Sequence, residues 1–225
     1  DKLAAEIGDA PSALKLIFPE VYLEDGDAEK RIEAINSSMQ SYLDNGVFRT
    51  LKDSFVLVRR ETAYGNTRLG IVAPVDLEEY SYVHPTEATI RATEGVVANR
   101  IPPRLAIREH APVELPHVIL LLDDRGKTVI EPFYKKRHEL EKLYDFDLNM
   151  NGGHLRGWHV TDTAPVEKAL AKLLDEDVLK EKYGSTDEVM LFAVGDGNHS
   201  LATAKACWNN LKATLSAEEQ KNHPA

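Results

Sequence analysis

The sequence predicts a mixed α/β protein, with a mixed or largely antiparallel sheet and flanking helices, on three observations. Short apolar runs rich in Val, Ile, Leu and Phe have the length of buried strands. Other segments repeat apolar residues every three or four positions, which places those residues on one face of a helix. Short polar loops join several of the strand-like runs, as in antiparallel hairpins.

Composition indicates a folded chain. Of the 225 residues, 43% are hydrophobic and 28% are charged, which is enough for a real core. We expect one domain over residues 1–225, with two lobes of about 1–115 and 116–225 as the alternative. Because the chain begins with Asp1 and not with methionine, we expect it to be processed, trimmed or part of a longer protein.

Net charge and cysteine content bear on partners and location. The formal net charge is −10, which argues against a surface that tracks nucleic-acid phosphates but leaves room for a local basic patch. No apolar run approaches the ~20 residues of a membrane span. The single cysteine, Cys207, cannot form an intrachain disulfide, so we expect a reducing, cytoplasmic setting.

The first part of the chain predicts a helix and a hairpin. A helix is expected from Asp27 to the Asn45-Gly46 pair, with an apolar stripe made of Ile32, Ile35, Met39, Tyr42 and Leu43. Residues 55–58 and 69–73 predict an antiparallel hairpin. Arg59 and Arg60 in its loop either face an anionic ligand or form a solvated strand end.

The next segment predicts a helix from about Pro85 to Asn99, because Pro85 suits a first helical turn and apolar residues continue one face. The prolines that follow Ile101 are expected to end this helix. His84 would lie at the helix cap and Glu87 in the first turn. The two side chains either bind a metal or a substrate amine, or simply mark the start of the helix.

The second part predicts further strands and helices. Residues 117–122 form the strongest predicted strand, and a turn at 123–126 is expected to lead into a hairpin partner at 128–132. Asp123 and Asp124 in that turn either hold Mg²⁺ or are solvated. Residues 133–146 show weak helical periodicity.

A strand at residues 154–160 and a helix from about 163 to 175 are expected after a glycine-rich break. His154 and His159 are five positions apart in that strand, so their side chains point to opposite faces. We therefore do not expect them to share one metal ion.

The stretch 194–200 holds the strongest candidate site, because a buried strand over 188–194 ends there and an amphipathic helix begins. Gly195 and Gly197 would let the backbone approach a ligand, and the free N–H groups of a helix start favour an anion such as phosphate. Four polar residues crowd at this point, Asp196, Asn198, His199 and Ser200. An ordinary turn uses the same residue types and remains the alternative.

The standard nucleotide and nucleophile motifs are excluded at this loop. A dinucleotide fingerprint requires a third glycine where Ser200 stands. The Gly-Lys-Ser/Thr ending of a P-loop and the Gly-x-Ser-x-Gly nucleophile elbow are both missing.

The loop at residues 196–204, together with residues 84–89 and 157–160, resembles the bacterial and archaeal domain-of-unknown-function family one thousand and fifteen. The resemblance spans most of residues 75–215, and members of that family are usually longer. Their loop reads Asp-Gly-His-His-Arg, whereas this chain has Asn198 for the first histidine and Ser200 for the arginine.

The family loop is in turn similar to the Gly-x-x-Arg turn of the ParB and sulfiredoxin superfamily, which holds a nucleotide phosphate. That wider group includes CTP-binding partition proteins and kinases of free serine, so the resemblance implies phosphotransfer on serine or phosphoserine. Because Ser200 replaces the forked phosphate donor, another base such as Arg91, Arg156 or Lys205 would have to substitute, or phosphate binding is weakened.

The loop predicts a small-molecule phosphotransfer enzyme with Mg²⁺ and a nucleotide as cofactors, and the resemblance implies a kinase or phosphatase of the serine or phosphoserine type. Asp196, His199 and Glu87 are the candidate catalytic residues, and Asp196 is also the candidate metal ligand. The substrate or phosphate would be bound by Gly195, Gly197, Asn198, Ser200, His84 and Arg91. The alternative is a non-enzymatic ParB-like regulator that binds a nucleotide or nucleic acid, or a metabolite-binding domain. We expect a small-molecule ligand and no membrane partner.

Overall fold

The computed structural model describes residues 2–22, 25–84, 88–186 and 189–223, and its strands form two four-stranded sheets with flanking helices. This architecture confirms the predicted mixed α/β class. The strands are β1 (Phe55–Glu61), β2 (Thr67–Val72), β3 (Tyr80–Ser81), β4 (Ile90–Ala92), β5 (Ile119–Leu122), β6 (Glu141–Asp147), β7 (His154–Val160) and β8 (Phe192–Asp196). The α-helices are α1 (Lys2–Ile7), α2 (Ala28–Asp44), α3 (Ile101–Arg108), α4 (Glu131–Lys135), α5 (Ala164–Leu173), α6 (Glu176–Tyr183), α7 (Asn198–Lys212) and α8 (Ala217–Asn222).

The first sheet has the order β2-β1-β7-β6, and all its neighbouring strands are antiparallel. β1 and β2 form the predicted hairpin, and Leu57 of β1 lies opposite Ile71 on one side and Trp158 on the other. Leu57, Trp158 and Val160 are buried and pack against Phe133 of α4. Because side chains alternate along a strand, this apolar group occupies one face of the sheet.

The second sheet has the order β3-β4-β8-β5, in which β3, β4 and β8 are parallel and β5 runs antiparallel to β8. Its core combines Tyr80, Ile90 and Val194, one from each parallel strand, with Leu201 and Ala202 of α7. The predicted apolar face of α7 therefore covers this sheet. Each of the two sheets takes strands from both halves of the chain.

The predicted helix at residues 85–99 is wrong over the part that the structure describes. Residues 85–87 lie outside the described residues, and Ile90–Ala92 form β4 between β3 and β8. Pro102 and Pro103 do not end a helix but lie in the first turn of α3. A proline is tolerated there because the first N–H groups of a helix have no intrahelical acceptor.

The predicted hairpin after residue 122 is also wrong. β5 pairs with β8, which is distant in sequence, and the Asp124 carboxylate accepts hydrogen bonds from the backbone N–H groups of Thr128 (2.6 Å) and Val129 (2.8 Å). These bonds stabilise a turn that leads into α4. Residues 133–146, predicted as weakly helical, contain the end of α4 and then strand β6.

Several elements are confirmed. The helix expected after Asp27 is α2, the strand at residues 154–160 is β7, and the last two predicted amphipathic helices are α5 and α7. His154 and His159 have different carboxylate partners across the β6–β7 pair, as expected for opposite faces. Within the residues that the structure describes, no helix is long and apolar enough to cross a membrane.

Glu78 connects α7 to the segment before β3. Its carboxylate accepts a hydrogen bond from the indole N–H of Trp208, and the amino groups of Lys212 and Lys205 lie 3.0 Å and 3.4 Å from Oε1. The Trp208 hydrogen bond and then the Lys212 contact lower the pKa of Glu78 from 4.5 to about 2. Charged Glu78 therefore stabilises the folded state above the unfolded pKa.

We expect Glu78→Gln to lower the free energy of unfolding by about 1 kcal/mol at neutral pH, since the carboxylate is half exposed and screened. Glutamine can still accept from the Trp208 indole but carries no charge for the lysines. The difference between wild type and variant should be complete above the unfolded pKa of 4.5 and vanish as the pH falls towards 2. Urea unfolding of both proteins at several pH values measures it, and a difference independent of pH would contradict this role of Glu78.

Candidate functional site

The predicted strand, loop and helix are present, although the strand lies a few residues later than expected. β8 ends at Asp196, Gly197 forms the connection, and α7 begins at Asn198. The parallel strand β4 ends beside β8, and Thr93 just after it donates a hydrogen bond to the carbonyl oxygen of Val194 at 2.6 Å. The start of α7 thus lies at the carboxyl ends of two parallel strands, where open α/β sheets commonly bind ligands.

Both glycines of the loop lie close to the segment that contains β5. Gly197 has φ +85°, and a Cβ there would lie 2.3 Å from the carbonyl oxygen of His117. A Cβ at Gly195 would lie 2.8 Å from the side chain of Leu121 in β5. Close packing against the β5 segment therefore requires glycine at position 197, whereas a side chain at position 195 would have to displace the exposed side chain of Leu121.

Asp196 and His199 present hydrogen-bonding groups at the start of α7. Asp196 is exposed, and its Oδ1 accepts a hydrogen bond from the backbone N–H of Gly197 at 2.8 Å. Nε2 of His199 accepts one from the backbone N–H of Val97 at 3.1 Å. Because the Val97 N–H is the donor, Nε2 is the acceptor in this contact, which leaves Nδ1 as the ring nitrogen that can face a ligand.

Asn198 is a buried polar residue in the first turn of α7, with 4% of its surface exposed. Its side-chain Nδ2 lies 3.5 Å from Oε1 of Glu94, which follows β4. Its Oδ1 is buried and has no hydrogen-bond partner among the described residues. Buried carbonyl oxygens in folded proteins usually accept a hydrogen bond, so this oxygen is a candidate contact for a donor group of a ligand.

The first backbone N–H groups of α7 are also available. Among the residues that the structure describes, no protein group accepts a hydrogen bond from the backbone N–H of Asn198, His199 or Ser200, whereas Leu201 N–H donates to Gly197 O at 2.9 Å. Unsatisfied N–H groups and the positive end of the helix dipole favour an anion at this position.

Ser200 contacts an arginine that the sequence did not single out. Nη1 of Arg108 in α3 donates to the Ser200 carbonyl oxygen at 2.7 Å and lies 3.4 Å from Ser200 Oγ. The same guanidinium forms an ion pair with Glu114. Arg108 therefore brings a partly neutralised guanidinium to the loop position where an arginine was expected.

The three bases considered as substitutes for that arginine have contacts elsewhere. Arg91 in β4 donates to the carbonyl oxygens of Ala88 and Val189. These residues precede β4 and β8, at the amino ends of the strands and away from the start of α7. Arg156 belongs to β7 in the first sheet, and Lys205 pairs with Glu78.

The remaining predicted site residues are not joined to the loop by any described contact. His84 is exposed after β3, and its backbone N–H donates to Ser81 Oγ at 2.9 Å. Glu87 lies outside the described residues. Within the described residues no group of three or more His, Cys, Asp or Glu side chains is placed to hold a metal ion.

Among known protein families, the chain matches the one described as "Protein of unknown function (DUF1015)" over residues 1–225. No curated protein and no solved structure matches the chain.

Proposed function

The chain belongs to the DUF1015 family, whose description leaves its function open, and we propose that it transfers a phosphoryl group to a small hydroxyl-bearing molecule at the start of α7. The observation that carries this proposal is the set of three first-turn N–H groups, at Asn198, His199 and Ser200, with no protein acceptor in the described chain. These donors lie at the carboxyl ends of β4 and β8. Such a position suits phosphate oxygens because the donors and the helix dipole are fixed before binding.

The buried amide of Asn198 favours an acceptor that carries an amino group. Its unpartnered Oδ1 needs a donor, and the Glu94 carboxylate beside its Nδ2 carries a negative charge. An ammonium group would donate hydrogen bonds to Asn198 Oδ1 and to the Glu94 carboxylate, so the buried carbonyl oxygen would gain a donor. A small hydroxy amino acid such as serine combines this ammonium with a hydroxyl nucleophile.

The reaction would use Asp196 as the base. The acceptor hydroxyl oxygen forms a new bond to the γ-phosphorus of a nucleoside triphosphate, and the hydroxyl proton passes to the exposed Asp196 carboxylate. The bond from phosphorus to the bridging oxygen breaks, and its electron pair leaves with the nucleoside diphosphate. His199 would orient the transferred group through its Nδ1–H.

Magnesium fits this loop only in part. Mg²⁺ is usually held by one or two carboxylates together with phosphate oxygens. Because Asp196, the exposed carboxylate of the loop, is the base of the proposed reaction, the ion would be held mainly by the phosphate oxygens. When bound with a nucleotide, the ion would neutralise charge on the phosphate oxygens.

The test is phosphoryl transfer from Mg-ATP to L-serine, followed as O-phosphoserine by phosphorus NMR. Asp196→Asn keeps an oxygen that accepts from the Gly197 N–H but removes the base, so we expect kcat/KM to fall about 100-fold with the unfolding midpoint retained. His199→Gln keeps an oxygen for the Val97 N–H but removes the Nδ1–H, and should also lower kcat.

His110→Ala is the matched control, because His110 is exposed in the turn that follows α3 and plays no part in the proposed reaction. Its activity should equal that of the wild type. Absence of phosphoserine formation and of phosphate release from ATP or O-phosphoserine by the wild-type chain would overturn the proposal. Full activity of Asp196→Asn would overturn the role of Asp196.

A further inference from the structure

A cavity lies on the first sheet, and none of the residues at the start of α7 lines it. Its volume is about 540 Å³, within the range of small-molecule sites. Its lining consists of four cations, two aromatic rings, one histidine and one carboxylate, namely Arg59, Arg137, Lys142, Arg156, Tyr134, Trp158, His138 and Asp145. We call it the basic cavity.

The strand register explains why cations and rings meet there. Arg59 of β1 lies opposite Arg156 of β7, which lies opposite Asp145 of β6. Two residues further along the same face of β1 and β7 are Leu57 and Trp158, which belong to the buried apolar core. The basic cavity therefore lies at the border between the charged and the apolar part of one sheet face.

The aromatic walls are fixed by packing. The rings of Tyr134 and Trp158 meet edge to face, with centroids 6.1 Å apart and an interplanar angle of 79°. The guanidinium of Arg137 lies 4.3 Å from the centroid of the Tyr134 ring, and its Nη1 donates to the Tyr134 carbonyl oxygen at 2.8 Å. This stacking orients Arg137 at the cavity without neutralising its charge.

The cations of the basic cavity exceed the carboxylates available to them. Arg59 and Arg156 both donate to Oε1 of Glu61, and Arg156 and Lys142 both contact Asp145, at 3.0 Å and 2.9 Å. Arg137 has no carboxylate partner among the described residues. Three of the four cations thus share two carboxylates, and the fourth, Arg137, pairs with neither.

His154 also pairs with the carboxylates of this sheet face. Its ring nitrogens lie 2.6 Å from Asp147 and 2.6 Å from Asp145, and these two carboxylates raise the pKa of His154. Hydrogen bonds from Lys142 and then His154 hold the pKa of Asp145 well below its usual value. Asp145 is therefore a shared counter-ion, and the positive surplus around Arg137 remains.

We propose that the basic cavity binds a small dianion attached to a planar ring, the chemistry of a nucleoside monophosphate. A phosphate monoester carries about two negative charges, which match the two positive charges that Glu61 and Asp145 leave uncompensated among the four cations. Guanidinium groups bind its oxygens through paired N–H donors. The planar base would contact the ring of Tyr134, where stacking adds affinity for any π-face, and the small part of Trp158 that remains exposed at the cavity.

A single small molecule fits better than an extended nucleic acid. The chain as a whole has a net charge of −10, and carboxylates of Glu61, Asp145 and Asp147 flank the cations on the same sheet face. A strand of phosphates would pass these acidic groups, whereas one phosphate need not.

The test is calorimetric titration of the whole chain with adenosine monophosphate, inorganic phosphate and adenosine. We expect the monophosphate to bind more tightly than either fragment, since only it supplies both the dianion and the ring. Trp158 fluorescence should change on binding, because its ring lines the cavity. Arg137→Ala should weaken monophosphate binding about tenfold.

Lys136→Ala is the matched control, since it removes the same charge from an exposed residue one position earlier and should leave affinity unchanged. No binding of the monophosphate, or equal affinity in Arg137→Ala, would overturn the inference. Binding of a single-stranded oligonucleotide with a steep salt dependence, but not of the monophosphate, would also overturn it and would indicate a nucleic-acid surface.

The proposed phosphotransfer function at the start of α7 is tested independently of the basic cavity. Asp196→Asn should not alter monophosphate affinity at the basic cavity. If binding were lost in Asp196→Asn and retained in Arg137→Ala, the nucleotide would belong to the start of α7, and the second site would be refuted while the phosphotransfer proposal survived.

Discussion

Replacing Gly153 by alanine is expected to lower the free energy of unfolding by about 4 kcal/mol. Gly153 has φ +98°, and a Cβ there would lie 2.0 Å from the carbonyl oxygen of Glu61. Glu61 cannot move away easily, because it is the last residue of β1 and pairs with His154 in β7. Strain from the left-handed backbone and the collision with a paired strand therefore add together. Urea unfolding followed by far-ultraviolet circular dichroism measures the loss.

Gly184→Ala separates the two costs. Gly184 has φ +75°, but nothing lies within 4 Å of a Cβ built on it, so only the backbone strain of about 1 kcal/mol is expected. If the two variants lost equal free energy of unfolding, the close approach of Glu61 to Gly153 would not contribute to the cost of the alanine. Since Glu61 also holds Arg59 and Arg156, Gly153→Ala should in addition weaken ligand binding in the basic cavity.

Elements with strong local signals could be predicted from the sequence. The apolar stripes of α2 and α7 follow the helical period over several turns, and the β1–β2 hairpin combines two apolar runs with a polar loop. In these cases the residues that decide the structure are close together in the sequence.

β4 and β6 could not be predicted in this way. β4 has three residues and depends on pairing with β3 and β8, which lie on either side of it. β6 carries Lys142, Asp145 and Asp147 among its residues, so its alternation is charged and irregular where the pairing register shifts. Tertiary pairing, rather than local propensity, determines both strands.

Only part of the candidate site at the start of α7 could be predicted from the sequence. Asp196 to Ser200 follow one another and form a recognisable strand-to-helix loop. Glu94, Val97 and Arg108 complete it from segments about a hundred residues earlier, as the contacts to Asn198, His199 and Ser200 show. No sequence spacing indicates such contacts.

The grouping of residues in the basic cavity could not be predicted from the sequence. Arg59 was open to two interpretations, an anion contact or a solvated strand end, and only the register of β1, β7 and β6 places it beside Arg156 and Asp145. The aromatic wall of Tyr134 and Trp158 comes from two elements that are not neighbours in sequence. A site assembled across strands becomes apparent only once the pairing is known.

Replacing Gly197 by alanine is expected to cost about 3 kcal/mol of unfolding free energy and to weaken phosphate binding at the start of α7. The alanine Cβ would lie 2.3 Å from His117 O and 3.0 Å from Val118 Cα, so the loop or the β5 segment must shift. Such a shift moves the N–H groups of Asn198, His199 and Ser200 relative to one another. Urea unfolding and the transfer assay with Mg-ATP and serine measure the two effects.

Gly65→Ala is the matched control for this loop. Gly65 lies in the β1–β2 turn with φ +81°, close to the +85° of Gly197, but nothing lies within 4 Å of the place that a Cβ would take. It should therefore lose only about 1 kcal/mol and keep full activity, because the backbone strain is similar and the collision is missing. If Gly197→Ala were as stable and as active as Gly65→Ala, close packing on β5 would not be what holds the first N–H groups of α7 in place. Loss of activity in Gly197→Ala alone would instead link the geometry of this turn to the proposed chemistry.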